Sequence, residues 1–188
     1  MSDPRSALDG HRYDGAVAIA DAGPRGMISV KGDLGASGLK NAATGISGVD
    51  FPDIREANCV GEKGLLWMAP DEIMVLTPRA EAAKAVDVLT RAIGSTHGLV
   101  ADVSDARALL YVEGAGGRDI LGKLTPADLR PGVFGTGELR RTRLAQIPAA
   151  FWLRDAETFE VMVFRSVARY AFDLLANAAR PGTMIGHH

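Results

Sequence analysis

From Met27 onward, apolar and polar positions fall into a pattern that is then repeated. "MISVKG" (27–32) alternates with the period of a strand, and "LGASGLKNAATGIS" (34–47) carries a helical period broken by glycines. "GLLWMAP" (64–70) and "IMVLTP" (73–78) are apolar runs separated by the turn residues Pro70, Asp71 and Glu72, which predicts a hairpin. In 79–94 the residues Ala82, Ala85, Val86, Leu89 and Ile93 recur at helical spacing, and Gly94 stands where a C-terminal cap belongs.

The second half follows the same order. "ALLYVEG" (108–114) is a strand and "GGRDILGKL" (116–124) a short helix; "TPADLRPGVFGTG" (125–137) is a loop. "RRTRLAQI" (140–147) and "AAFWLRD" (149–155) form one long or two broken strands. "TFEVMVF" (158–164) is another, and "SVARYAFDLLANAA" (166–179) the closing helix. Trp67 and Trp152 both fall just before a hairpin turn and are expected in the core. The chain therefore reads as a duplicated β-α-β-β-α unit with mixed or antiparallel sheets and helices on one face, of class α+β. The expected division is an extended N-terminal arm over 1–25, a first lobe over 26–97, a second over 98–180 and a tail over 181–188. The arm contains one short strand, "AVAIA" (16–20). It is rich in Gly, Asp and Ala, so it is expected to become ordered on docking to a partner. The terminal "GHH" is set aside.

Composition narrows the function classes. A net charge of −2 gives no electrostatic reason for a nucleic-acid or anionic-membrane partner. No apolar run is long enough to span a bilayer, and the N-terminus lacks the apolar core of a signal peptide; a soluble cytoplasmic protein is expected. The single Cys59 cannot form an internal disulfide or build a structural zinc site.

The turn Gly114–Asp119 invites comparison with a dinucleotide loop. Gly114 and Gly116 meet the first and third positions, but the sixth is Asp119, whose carboxylate would repel a pyrophosphate. In the first half Leu39 separates Gly38 from Lys40, which misses a P-loop. Both turns are expected to be structural. Cys59 with His97 could form a nucleophile pair, and Asp102, Ser104 and His97 a triad. The commoner outcome is a buried thiol and a polar turn in which Asp102 or Ser104 binds backbone N–H groups. Arg140, Arg141 and Arg143 could meet an acidic partner, or line an exposed strand face. No catalytic, cofactor-binding or metal-binding residue is assigned. As interface anchors, aromatic residues and arginines come first. Phe134 is chosen for its place in a loop, with Arg165 and Tyr170 beside the last helix.

Several segments of the second half resemble the gamma subunit of heterotetrameric sarcosine oxidase. The D-x-S-x-x-R pattern is met by Asp102, Ser104 and Arg107, and G-x-x-x-R-D-x-L by Gly114, Arg118, Asp119 and Leu121. D-L-x-P-x-x-F is met by Asp128, Leu129, Pro131 and Phe134; Phe159, Glu160, Val163, Arg165 and Ser166 meet most of the closing segment. "WMAPDEIMVLTP" (67–78) is similar to the family hairpin, with Ala69 and Ile73 where glycine and an aromatic residue are usual. The resemblance runs from about Met27 to Ala179. It implies a fold similar to the folate-binding domain of the glycine-cleavage aminomethyltransferase and a subunit with no cofactor of its own. It further implies alpha, beta and delta partners that carry NAD, tetrahydrofolate, FAD, FMN and zinc. Together these oxidise sarcosine to glycine with release of hydrogen peroxide and transfer of a one-carbon unit. A free-standing folate-binding or aminomethyltransferase-like protein is the alternative implied by the shared fold.

Overall fold

The structure is a computed structural model that describes residues 4–183. It contains two compact units, one of Pro24–Asp105 and one joining the residues up to Gly23 to those from Ala106 on.

The first unit follows β1 (Arg12–Asp14) and β2 (Ala18–Asp21) in the chain and runs β3 (Arg25–Lys31), α1 (Ser37–Ser47), β4 (Ala57–Val60), β5 (Lys63–Ala69), β6 (Glu72–Pro78), α2 (Ala82–Ile93) and β7 (Leu99–Asp102). Its sheet has the order β4-β5-β6-β3-β7, with every neighbour antiparallel. Ile28, Val30, Leu65, Ile73 and Val75 form one apolar face, against which Leu39 and Ala43 of α1 and Ala82, Ala85 and Leu89 of α2 are buried. These helical residues recur at i, i+3, i+4 and i+7, so each helix presents a single apolar stripe. Gly94 ends α2 at φ 58, a left-handed value that a side chain would strain.

The second unit runs β1 (Arg12–Asp14), β2 (Ala18–Asp21), β8 (Arg107–Glu113), α3 (Gly117–Gly122), β9 (Leu139–Leu144), β10 (Ile147–Leu153), β11 (Thr158–Phe164) and α4 (Ala168–Ala178). The antiparallel order is β1-β2-β8-β11-β10-β9. Its core joins Ile19, Leu110, Val112, Phe151, Leu153, Phe159 and Val161 of the sheet to Ile120, Leu121, Ala171, Phe172 and Leu175 of the helices. Trp152 is also fully buried, whereas Trp67 is half-buried.

The duplication is present as β-α-β-β-β-α twice: β4 is a strand more than the periodicity predicts, and of the two readings of 140–155 the structure has two strands, β9 and β10. A strand leads into each repeat, and its pairing is exchanged. β2 precedes β3 but pairs with β8, while β7 precedes β8 but pairs with β3. The lobe boundary expected at 97/98 therefore falls at 105/106, because Leu99–Asp102 completes the first sheet.

The expected free arm is likewise corrected. Val17, Ile19 and Leu8 are buried in the second core, and β2 pairs with β8 over Ala18↔Glu113 to Asp21↔Leu110. The Asp21 carboxylate accepts from Ser6 Oγ and from Gly10 N–H (2.9 Å), and Ala16 N–H donates to Ala179 C=O at 2.7 Å. Apolar burial and a strand ladder hold these residues without a partner chain. Residues 184–188, including most of the expected tail, lie outside the described residues.

Candidate partner interface

Each turn singled out as a candidate for chemistry is occupied by the chain's own backbone. Gly114 has φ 128, and its N–H donates to Glu157 C=O at 2.8 Å. Gly117 N–H donates to Gly114 C=O at 2.9 Å. A Cβ on Gly117 would stand 3.1 Å from the ring of Phe159, so glycine here lets helix α3 approach the sheet. These N–H groups are spent inside the fold and do not fit a phosphate cradle. In the first unit Asp33 Oδ1 accepts from Gly35 N–H at 2.8 Å, and Gly32 N–H donates to Asp71 C=O at 2.9 Å.

Asp102 and Ser104 form the polar turn. Asp102 Oδ1 accepts from the Ser104 N–H (2.9 Å) and hydroxyl (2.5 Å), while Ser104 Oγ accepts from Met27 N–H at 2.9 Å. Arg79 closes the group, 2.8 Å from Asp105 and 3.8 Å from Asp102. The Cys59–His97 pairing does not form. Cys59 is on β4 and His97 leads into β7, the two edges of the first sheet, four strand spacings or roughly 19 Å apart. Cys59 is half-buried. Among the described residues no group of three His, Cys, Asp or Glu side chains could hold a metal ion. Between α1 and α2 lies a groove of about 580 Å³ floored by Ala42, Ile46 and Ala85; at its rim Lys63 and Glu81 form an ion pair of 2.9 Å.

The residues of the closing motifs converge on the interior of the second unit. Arg118 Nη1 donates to Leu129 C=O (2.6 Å) and Phe134 C=O (2.8 Å), stapling the loop between α3 and β9. That staple carries Phe134 inward, where it is fully buried. It stacks on Phe159 at 5.9 Å between centroids and meets Phe151 at 6.0 Å. The expectation that Phe134 anchors a partner is thus corrected: its ring is core, because a loop with two charge-assisted hydrogen bonds can fold onto the sheet. Glu160, 1% exposed, receives Arg154 Nη1 at 2.8 Å. Burial of Arg154 opposes its charge, but the Glu160 carboxylate and then Tyr111 outweigh it, so the guanidinium is held above its ordinary pKa.

Aromatic surface remains at one corner of this unit. Phe164 ends β11 and is 40% exposed, with the Arg107 guanidinium 3.9 Å from its ring centroid. Arg165 begins the 3-10 turn that follows and is half-buried; its N–H donates to Ala106 C=O at 2.9 Å. Tyr170, on the first turn of α4, is 45% exposed. Of the three anchors read from sequence, Arg165 and Tyr170 thus reach the surface of one segment, and Phe134 does not. Phe164 was missed, although its position as the last residue of an alternating run was visible.

The sequence model of the sarcosine oxidase gamma subunit family matches residues 31–180. The chain belongs to that family. It is 31% identical over 153 residues to sarcosine oxidase subunit gamma of Corynebacterium sp. (strain U-96), covering 81% of this chain and 73% of the relative. The Arthrobacter sp. gamma subunit is 29% identical over 150 residues, 79% and 72% of the two chains. Among solved structures, a chain of heterotetrameric sarcosine oxidase from Corynebacterium sp. U-96 superposes with a TM-score of 0.78 at 26% identity, covering 89% of this chain and 87% of that one. Glycine cleavage system aminomethyltransferase T from Bartonella henselae shares the fold, with a TM-score of 0.61 at 17% identity over 86% of this chain and 45% of that one.

Proposed function

We propose that this chain is a non-catalytic, structural gamma subunit of a cytoplasmic heterotetrameric sarcosine oxidase. In this reading the alpha, beta and delta partners hold NAD, tetrahydrofolate, FAD, FMN and zinc and carry out the oxidative demethylation of sarcosine. The observation that carries the reading is the match along most of both chains to a chain of a heterotetrameric sarcosine oxidase. The hydrogen bonding of the motif residues supports the non-catalytic part: Asp102, Ser104 and Arg118 hold the chain's own backbone. Arg165 and Tyr170, with Phe164, are the proposed anchors of a partner at the exposed corner. Their chemistry suits an interface, where arginine and aromatic residues dominate.

The test is affinity capture of the tagged chain from its native cytosol, followed by assay of the captured material. The expected result is a flavin-bearing assembly that forms hydrogen peroxide on addition of sarcosine, while the isolated chain is colourless and inactive. Tight folate binding by the isolated chain, with no flavoprotein captured, would establish the free-standing folate-binding alternative.

A further inference from the structure

Helix α1 carries a glycine that its own fold does not require. Gly45 lies within the helix, two residues short of its end at Ser47, where glycine is destabilising relative to alanine. The glycines at 94 and 117 answer a need, the first through a left-handed φ and the second through the approach of the Phe159 ring. Gly45 has neither reason. Its φ is not positive, and a Cβ built on it would meet no atom of the chain within 4 Å. The open space beside it is the groove of about 580 Å³ between α1 and α2. Ala42, Gly45 and Ile46 line it from α1, and Lys84, Ala85 and Val88 from α2. On each helix these positions recur at three or four residues, so each wall is one row along its helix. From Glu81 to Val88 the lining spans about two turns of α2, roughly 10 Å.

The chemistry of the walls decides what fits between them. A pocket for a small ligand sets a few polar groups where they converge on it and fix its orientation. The floor of this groove carries no polar side chain. A helix needs none there, because it brings an apolar stripe of its own and packs closest where the facing residues are glycine and alanine. The rim adds a sign. Lys63 and Glu81 neutralise each other at 2.9 Å, whereas Lys84 is exposed and no carboxylate among the described residues pairs with it. One net positive charge is left, which a carboxylate beside the incoming stripe would meet. The described helices of a second copy offer no such stripe, since α1 to α4 bury theirs against their own sheets. We propose that the α1–α2 groove seats an amphipathic helix of a different polypeptide, packed on Gly45 and carrying an Asp or Glu against Lys84. The inference rests on the subunit reading and names one surface through which the subunit is held.

Substitution and labelling, on the isolated chain and on the captured assembly, test it. In the isolated chain Gly45→Ala should raise the thermal midpoint by about 2–4 °C, because alanine is the better helix former and the space is open. A lower midpoint would show that the fold itself needs the glycine and would overturn the proposal. Gly45→Leu, which fills the groove, should keep its circular dichroism and reduce the captured partner by about tenfold or more. In the unsubstituted assembly an amine-reactive reagent, read by peptide mass spectrometry, should label Lys84 about tenfold more slowly than in the isolated chain. A carbodiimide cross-link from Lys84 in that assembly should lead to an Asp or Glu of another polypeptide. An assembly that forms as readily with Gly45→Leu, and in which Lys84 labels at the rate of the isolated chain, would overturn the helix seat and leave the subunit reading standing. Protection of Lys84 by a second copy of this chain, or by a small molecule that dialysis removes, would overturn the partner helix. Failure to recover any assembly would overturn both readings together.

Discussion

One guanidinium does much to organise the second unit. Arg118 reaches two carbonyls, at Leu129 and Phe134, and so closes the loop that follows α3 onto the sheet. The ring of Phe134 then fills the space between Phe151 and Phe159, and the Arg140 guanidinium lies 5.0 Å from its centroid on another side. Gly117 completes the arrangement, since any side chain there would press on Phe159. The motif residues are thus explained by packing and hydrogen bonding within the chain. Phe134→Ala should cost about 3–5 kcal/mol of stability in the isolated chain, through lost burial and the cavity left behind. Urea unfolding followed by fluorescence measures it. A loss below about 1 kcal/mol would mean that the ring is not core.

At the scale of elements, the N-terminal strands decide how the second sheet is completed. β2 covers the side of β8 that β11 does not, and β7 does the same for β3 in the first unit. Removing residues 1–21 would strip that edge and take Leu8, Val17 and Ile19 from the core. The truncated chain is expected to be insoluble or to lose its cooperative thermal transition, because an unpaired inner strand and exposed apolar surface favour aggregation. A truncated chain that melts as sharply as the full one would show that the arm is dispensable. The strands with seven residues and a clear apolar run, β3, β5, β6, β8, β10 and β11, were legible in the sequence. β1, β4 and β7 span only three or four residues and are strands by virtue of their neighbours, so local pattern could not announce them. The β9–β10 turn was hidden because Ala145, at φ 50, occupies a position where glycine or asparagine would have signalled it. Arg165 and Tyr170 were legible as positions that reach the surface, Arg165 half-buried and Tyr170 exposed. Phe134 was not, because its inward turn depends on Arg118, sixteen residues earlier in the chain.

At the scale of the molecule, two antiparallel sheets with exchanged leading strands make a scaffold that offers edges and an aromatic corner for docking. Family membership and the match along most of the chain to a chain of a heterotetrameric sarcosine oxidase point toward assembly. Native mass spectrometry of the material captured on the tagged chain tests the central claim most directly. A particle of four different polypeptides that includes one copy of this chain, with flavin retained, is the predicted result. A mass equal to this chain alone, or to a multiple of it, would contradict the account.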